Sequence, residues 1–125
     1  MLKPKPWWIR FWSLGGTWMT IYPNIYHPVD INPYDFPDII AHESVHLGRQ
    51  EATGVLWWLV KYIFIRSFRF HEEVLGFAAE LRCHPEDDRE RFLVCWANML
   101  TTWQYMWAAP SNAAAETALR KELAG

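Results

Sequence analysis

Cysteine is scarce in this chain: Cys83 and Cys95 are the only two in 125 residues. Two thiols cannot form the disulfide framework of a small secreted domain, so both are expected to be reduced, buried small hydrophobes in a cytoplasmic protein. An excess of positive charge is also missing. Twelve Lys and Arg stand against fourteen Asp and Glu, a formal net charge of -2, which gives no electrostatic footprint for a nucleic-acid partner. No apolar run is long enough to span a bilayer. The most apolar stretch, Val55 to Phe70, is broken by Lys61, Arg66 and Arg69, and a spanning helix needs about 20 apolar residues. Repeats and domain linkers are absent. The basic N-terminus is interrupted by Pro4 and Pro6 with no apolar stretch and cleavage site behind it, so no signal peptide is expected.

Aromatic residues are abundant: nine Trp, seven Phe and five Tyr. They bury large areas and help a short chain close one core, so residues 1–125 are expected to form a single domain. Two basic clusters lie beside them, Lys3, Lys5 and Arg10, then Lys61, Arg66 and Arg69. The simpler reading is a solvated rim around aromatic core residues; the other is a Trp-rich surface for a membrane or a protein partner.

The chain reads as strands first and helices after, an α+β order. Trp7 to Trp12 and Thr17 to Tyr22, separated by Gly15-Gly16, predict short antiparallel strands joined by a turn. Ile25 to Ile31 is a third extended segment, placed at a sheet edge or left irregular by Pro28. Asp35 or a neighbour then caps a helix with Pro37 in its first turn, running from about Phe36 to Thr53 and stopping at Gly54. Further helices are expected over about Val55 to Arg66, Phe70 to Cys83, Glu86 to Trp107 and Ala113 to Leu123, the last capped by Ser111 or Asn112. In the Glu86 to Trp107 helix the stripe Phe92, Cys95, Trp96, Met99, Leu100 and Trp103 faces inward.

The chemistry is carried by His42-Glu43-Ser44-Val45-His46. On a helix, His42 and His46 at i and i+4 place both imidazoles on one face, close enough to hold one metal ion. Glu43 lies about 100° round the axis. It is poorly placed to ligate and well placed to take a proton from water at the metal. Phe36, Ile39, Ile40, His42, Glu43, His46, Leu47 and Gln50 share one broad side, which turns the histidines inward. Gln50 either orients a ligand or pairs with backbone, and Gly48 suggests close packing. A third ligand is sought on the helix that packs across the motif. Phe70, Val74, Phe77, Ala78 and Leu81 give that helix an apolar stripe, and Glu73 flanks it, so Glu73 is the first choice, Glu72 the second and His71 the third. Helix-dipole compensation is the plainer role of such carboxylates and suits Glu72 better. Cys83-His84 is a weaker metal pair, since Pro85 ends the helix there.

These residues resemble the gluzincin class of zinc metallopeptidases, and more narrowly the short bacterial and phage-encoded minimal zincins. The resemblance runs from about Thr17 to Arg82. It rests on the His-Glu-x-x-His motif, Gln50, the aromatic helix with Trp57, Trp58 and Tyr62, the basic Arg66 and Arg69, and Glu73-Val74-Leu75-Gly76-Phe77. It implies a mainly helical zincin-like core, Zn2+ as cofactor, His42, His46 and Glu73 as ligands, and Glu43 as general base. It also implies that the strand before the motif helix walls the substrate cleft; Ile25 to Ile31 is the expected wall, binding an extended peptide by strand addition. Relatives often carry a second acidic residue where this chain has Leu75, which leaves the support of the ligands open. The oxyanion donor also stays open among His71, His27, Tyr26, Tyr62 and Arg69.

The expected function is a zinc-dependent hydrolase, a metallopeptidase acting on a peptide or protein. A deformylase-like site is excluded because its Cys ligand lies upstream of the motif and both cysteines here lie downstream. The alternative is a structural or assembly protein, of a phage particle for instance, that retains zinc for folding. The expected location is the cytoplasm, or the virion for a phage-encoded chain.

Overall fold

The computed structural model describes residues 1–10 and 17–125. The chain is α+β, with a small sheet at the N-terminus and a helical remainder. The strands are β1 (Leu2–Pro4), β2 (Met19–Ile21) and β3 (Asn24–His27), in the order β1-β3-β2. The helices are α1 (Trp7–Arg10), α2 (Pro37–Thr53), α3 (Val55–Phe64), α4 (Arg66–Arg82), α5 (Glu86–Met99) and α6 (Asn112–Ala124). None of them, among the described residues, is long and apolar enough to cross a membrane.

The sheet departs from the sequence expectation in three ways. Trp7 to Arg10 is a helical turn after Pro6 rather than a strand: Ile9 is fully buried while Trp7 and Trp8 are exposed. The Phe11 and Trp12 end of that expected strand, with the Gly15-Gly16 turn, lies outside the described residues. β3 is central rather than an edge. Pro28 falls just beyond its last residue, so the missing N–H removes nothing from the ladder. Finally, the sheet is mixed. β2 runs antiparallel to β3, with Thr20 opposite Ile25, while Leu2–Pro4 lies parallel to β3, with Lys3 opposite Tyr26. Pro4 closes β1, and an edge strand tolerates its missing N–H.

α2 begins at Pro37, with Phe36 rather than Asp35 in the cap position and no side-chain cap; Asn32 instead caps the single 3-10 turn before it. It ends as expected at Gly54, whose φ of 90° suits a residue without Cβ. Its only fully buried residues are His42, His46 and Gln50, a polar stripe spaced i, i+4, i+8. His42 and His46 face α4, the helix against which α2 chiefly packs. Gln50 is buried because it completes the edge of the sheet: it accepts from Tyr22 N at 2.7 Å and donates to Thr20 O at 2.9 Å. Gly48 is exposed with open space around it, so close packing is not its role.

The apolar core lies on the other side of α4. Val74, Phe77 and Leu81 pack with Leu93, Ala97 and Leu100 of the α5 segment and with Ala115 and Leu119 of α6. Ser111 caps α6 by accepting from Ala114 N at 3.1 Å. α5 is shorter than expected. After Met99 the hydroxyls of Thr101 and Thr102 bond back to the carbonyls of Asn98 and Met99, and the chain turns through a 3-10 segment (Trp103–Tyr105) and two left-handed residues, Met106 and Trp107. Arg69 and Arg66 anchor that loop by donating to the carbonyls of Met106, Trp107 and Ala109. The loop therefore closes over the polar face of α2 and α4. The expected α5 stripe is corrected accordingly: Leu93, Ala97 and Leu100 are its buried residues, Trp103 is exposed, and both cysteines are free but exposed rather than buried.

Candidate metal centre

His42 and His46 point from α2 toward α4, their ring centroids 5.0 Å apart. Glu73 comes from α4 to meet both. Its Oε2 lies 3.2 Å from His42 Nε2 and its Oε1 lies 3.1 Å from His46 Nε2. All three residues are buried, and one donor atom from each lies within 4.8 Å of the others, so the group can hold a metal ion. Glu72, the second choice, is also buried but turns elsewhere and forms an ion pair with Arg49. It stands outside the converging group, and it is buried rather than solvated. His71 is exposed.

Two observations test whether a cation fits. Neither ring nitrogen of His46 has a hydrogen-bond partner, although both are buried; the approach to Glu73 is close but lacks hydrogen-bond geometry. An orphaned buried imidazole is unfavourable unless something coordinates it. Second, α4 approaches α2 at a glycine. A Cβ on Gly76 would lie 2.6 Å from His42 Nε2, so this position must stay bare for the imidazole to sit where it does.

The residues around this group fix the orientation of its side chains. His42 Nδ1 donates to Glu80 Oε1 at 2.9 Å, leaving Nε2 for the cluster. Such a carboxylate behind a ligating histidine sets its tautomer and raises its basicity. Tyr62 of α3 donates to Glu73 Oε1 at 2.7 Å, and Phe77 meets the His42 ring edge-on at 4.6 Å. Glu43 is set by the sheet: Thr20 of β2 donates to its Oε2 at 2.6 Å. Burial alone would lower the His42 pKa, but the Glu73 and Glu80 carboxylates prevail and raise it to about 10. Burial would raise Glu73, yet the His46 charge and the bond to His42 hold it well below the usual carboxylate range. Burial first, and then the Glu73 charge, pushes the Tyr62 and Tyr105 phenols up, so both keep their protons.

The cluster forms part of the lining of a cleft of about 860 Å³. Its wall is β2 with its flanks, Thr17 to Ile21, and not Ile25 to Ile31. β3 carries a strand on each edge and has no edge free for strand addition. Of the oxyanion candidates, Tyr62 is committed to Glu73, Arg69 to backbone carbonyls, and His27 to Pro28 O. His71 and Tyr26 do not line the cleft, whereas Tyr105 does. Cys83-His84 forms no metal group with these residues: His84 pairs with Asp38 at 3.0 Å.

Glu80, Thr20, Tyr105 and the role of Gly76 were not foreseen. Glu80 had a signal, since Glu73, Gly76 and Glu80 recur at helical spacing on one face. Thr20 and Tyr105 had none, because only packing brings residues so distant in sequence to the cleft. No protein-family model, no curated protein and no solved structure matches this chain.

Proposed function

We propose that the chain is a zinc-dependent hydrolase cleaving peptide bonds, with His42, His46 and Glu73 as ligands and Glu43 as general base. The supporting observation is the joint placement of these four side chains: three donors converge, and Glu43, one residue along α2, lines the same cleft and is held by Thr20. Two imidazoles and one carboxylate suit zinc and leave a fourth position open. Bound there, zinc supplies a Lewis acid that makes water acidic near neutral pH.

The protein's own groups do the rest. Glu43 accepts the proton of the attacking water and returns it to the leaving amine. Thr20 holds the carboxylate in place through its hydroxyl. Tyr105, held protonated in the cleft, donates to the carbonyl oxygen as charge develops there. Glu80 keeps His42 oriented.

Glu43→Gln tests this reading. It should retain fold and metal and lose about 10²- to 10⁴-fold of peptide-hydrolysing activity, measured on casein-type and short peptide substrates. The competing reading, a structural or assembly protein that keeps zinc for folding, gives Glu43 no work. Under it Glu43→Gln leaves every property unchanged.

A further inference from the structure

The rest of the cleft has a chemistry of its own. Every carboxylate and imidazole lining it belongs to the cluster: Glu43 is held by Thr20, Glu80 by His42, and Glu73 by the histidines and Tyr62. No lysine or arginine lines it. The remaining surface is large and apolar, including Trp18 and Met19 from the β2 side, Trp58 and Ile63 of α3, Trp96 of α5, and Met106 of the anchored loop. A cleft of about 860 Å³ has room for a side chain with its flanking peptide groups.

We infer that the cleft selects a peptide segment bearing a bulky apolar side chain, aromatic or long aliphatic. The inference rests on the metal-centre reading for the direction in which the segment lies, and on the wall for its side chain. An acidic side chain is disfavoured twice, by loss of water against the aromatic wall and by repulsion from the three carboxylates. A basic side chain finds no free carboxylate to pair with. A small side chain binds without filling the space.

The test uses N-acetylated hydroxamates of phenylalanine, alanine and aspartate, titrated calorimetrically against the full chain loaded with zinc. The phenylalanine compound should bind about 10- to 100-fold more tightly than the alanine one, and the aspartate compound more weakly than either. Ile63→Glu, at a half-exposed position on the rim, should remove about tenfold of the phenylalanine advantage. Metal content should not change. Equal affinities across the series, or tightest binding by aspartate, overturn the assignment. The two readings fail separately. Phenylalanine preference without peptide hydrolysis sinks the hydrolase reading and supports the cleft assignment. If no metal binds, the matching amides are titrated against the protein by tryptophan fluorescence. The same order of affinity then supports the assignment, and its absence overturns it.

Discussion

Toward α2, α4 presents Glu73, Gly76 and Glu80; toward α5 and α6 it presents Val74 and Leu81, with Phe77 reaching both sides. Both faces are buried, and they are buried by different chemistry. The α5 and α6 side is hydrocarbon, closed by Leu93, Ala97, Leu100, Ala115 and Leu119, and each such contact favours folding. The α2 side gathers Glu72, Glu73 and Glu80 with His42 and His46, all taken out of water. Ion pairs buried in this way rarely stabilise a fold more than apolar residues of the same size would. The contrast gives stability to one face and, to the other, a group able to hold a cation, and each can be broken without the other.

The largest effect on folding is expected from the hydrocarbon face. Leu81 is fully buried, and Leu81→Ala should lower unfolding free energy by about 2–5 kcal/mol in a denaturant titration. The folded fraction should still take up metal at the wild-type stoichiometry. Gly76→Ala strikes the boundary between the two faces. Its methyl would collide with the His42 ring, so stability should fall by about 1–3 kcal/mol and elemental analysis should find the metal gone. Normal loading in this variant would mean that His42 is not held where the packing places it.

Glu80→Gln is subtler. It keeps the shape behind His42 and removes the charge, so metal affinity by competition with a chelator should drop about 10- to 100-fold with little change in thermal stability. A change of pH probes the same site with its side chains intact. In the metal-free chain the His42 pKa is raised to about 10, against burial, by Glu73 and Glu80. The proton it holds stabilises that state fully below the ordinary histidine value of about 6.5, and the contribution is lost as pH rises through about 10. A metal ion must displace this proton, so affinity should rise by about tenfold per pH unit from pH 6 to 8, with proton release in the calorimeter. A flat profile would remove His42 from the ligand set.

The same contrast explains what the sequence made legible. Features written within one helix could be read: the i, i+4 histidines, the turn from His42 to Glu43, Gly54 ending α2, Ser111 opening α6, and Glu73 beside its apolar neighbours. Features made by docking one element on another could not. Thr20 meets Glu43 across 23 positions and Glu80 meets His42 across 38. The parallel pairing of Leu2–Pro4 with β3 depends on the path between them, and Tyr105 reaches the cleft on a loop that Arg66 and Arg69 anchor from another helix. Periodicity also misjudged α5, where Leu93 and Ala97 are buried in place of Cys95 and Trp103. An aromatic stripe says that a face is apolar and not which neighbour covers it.

The central claim is that Glu73, and not its equally buried neighbour Glu72, completes a metal centre with His42 and His46. Metal content of the purified chain, measured beside Glu73→Gln and Glu72→Gln, tests it most directly. About one zinc per chain is expected in wild type and in Glu72→Gln once folded, and none in Glu73→Gln. A wild-type chain that stays empty after zinc is supplied, or a Glu73→Gln chain that keeps its metal, would contradict the account.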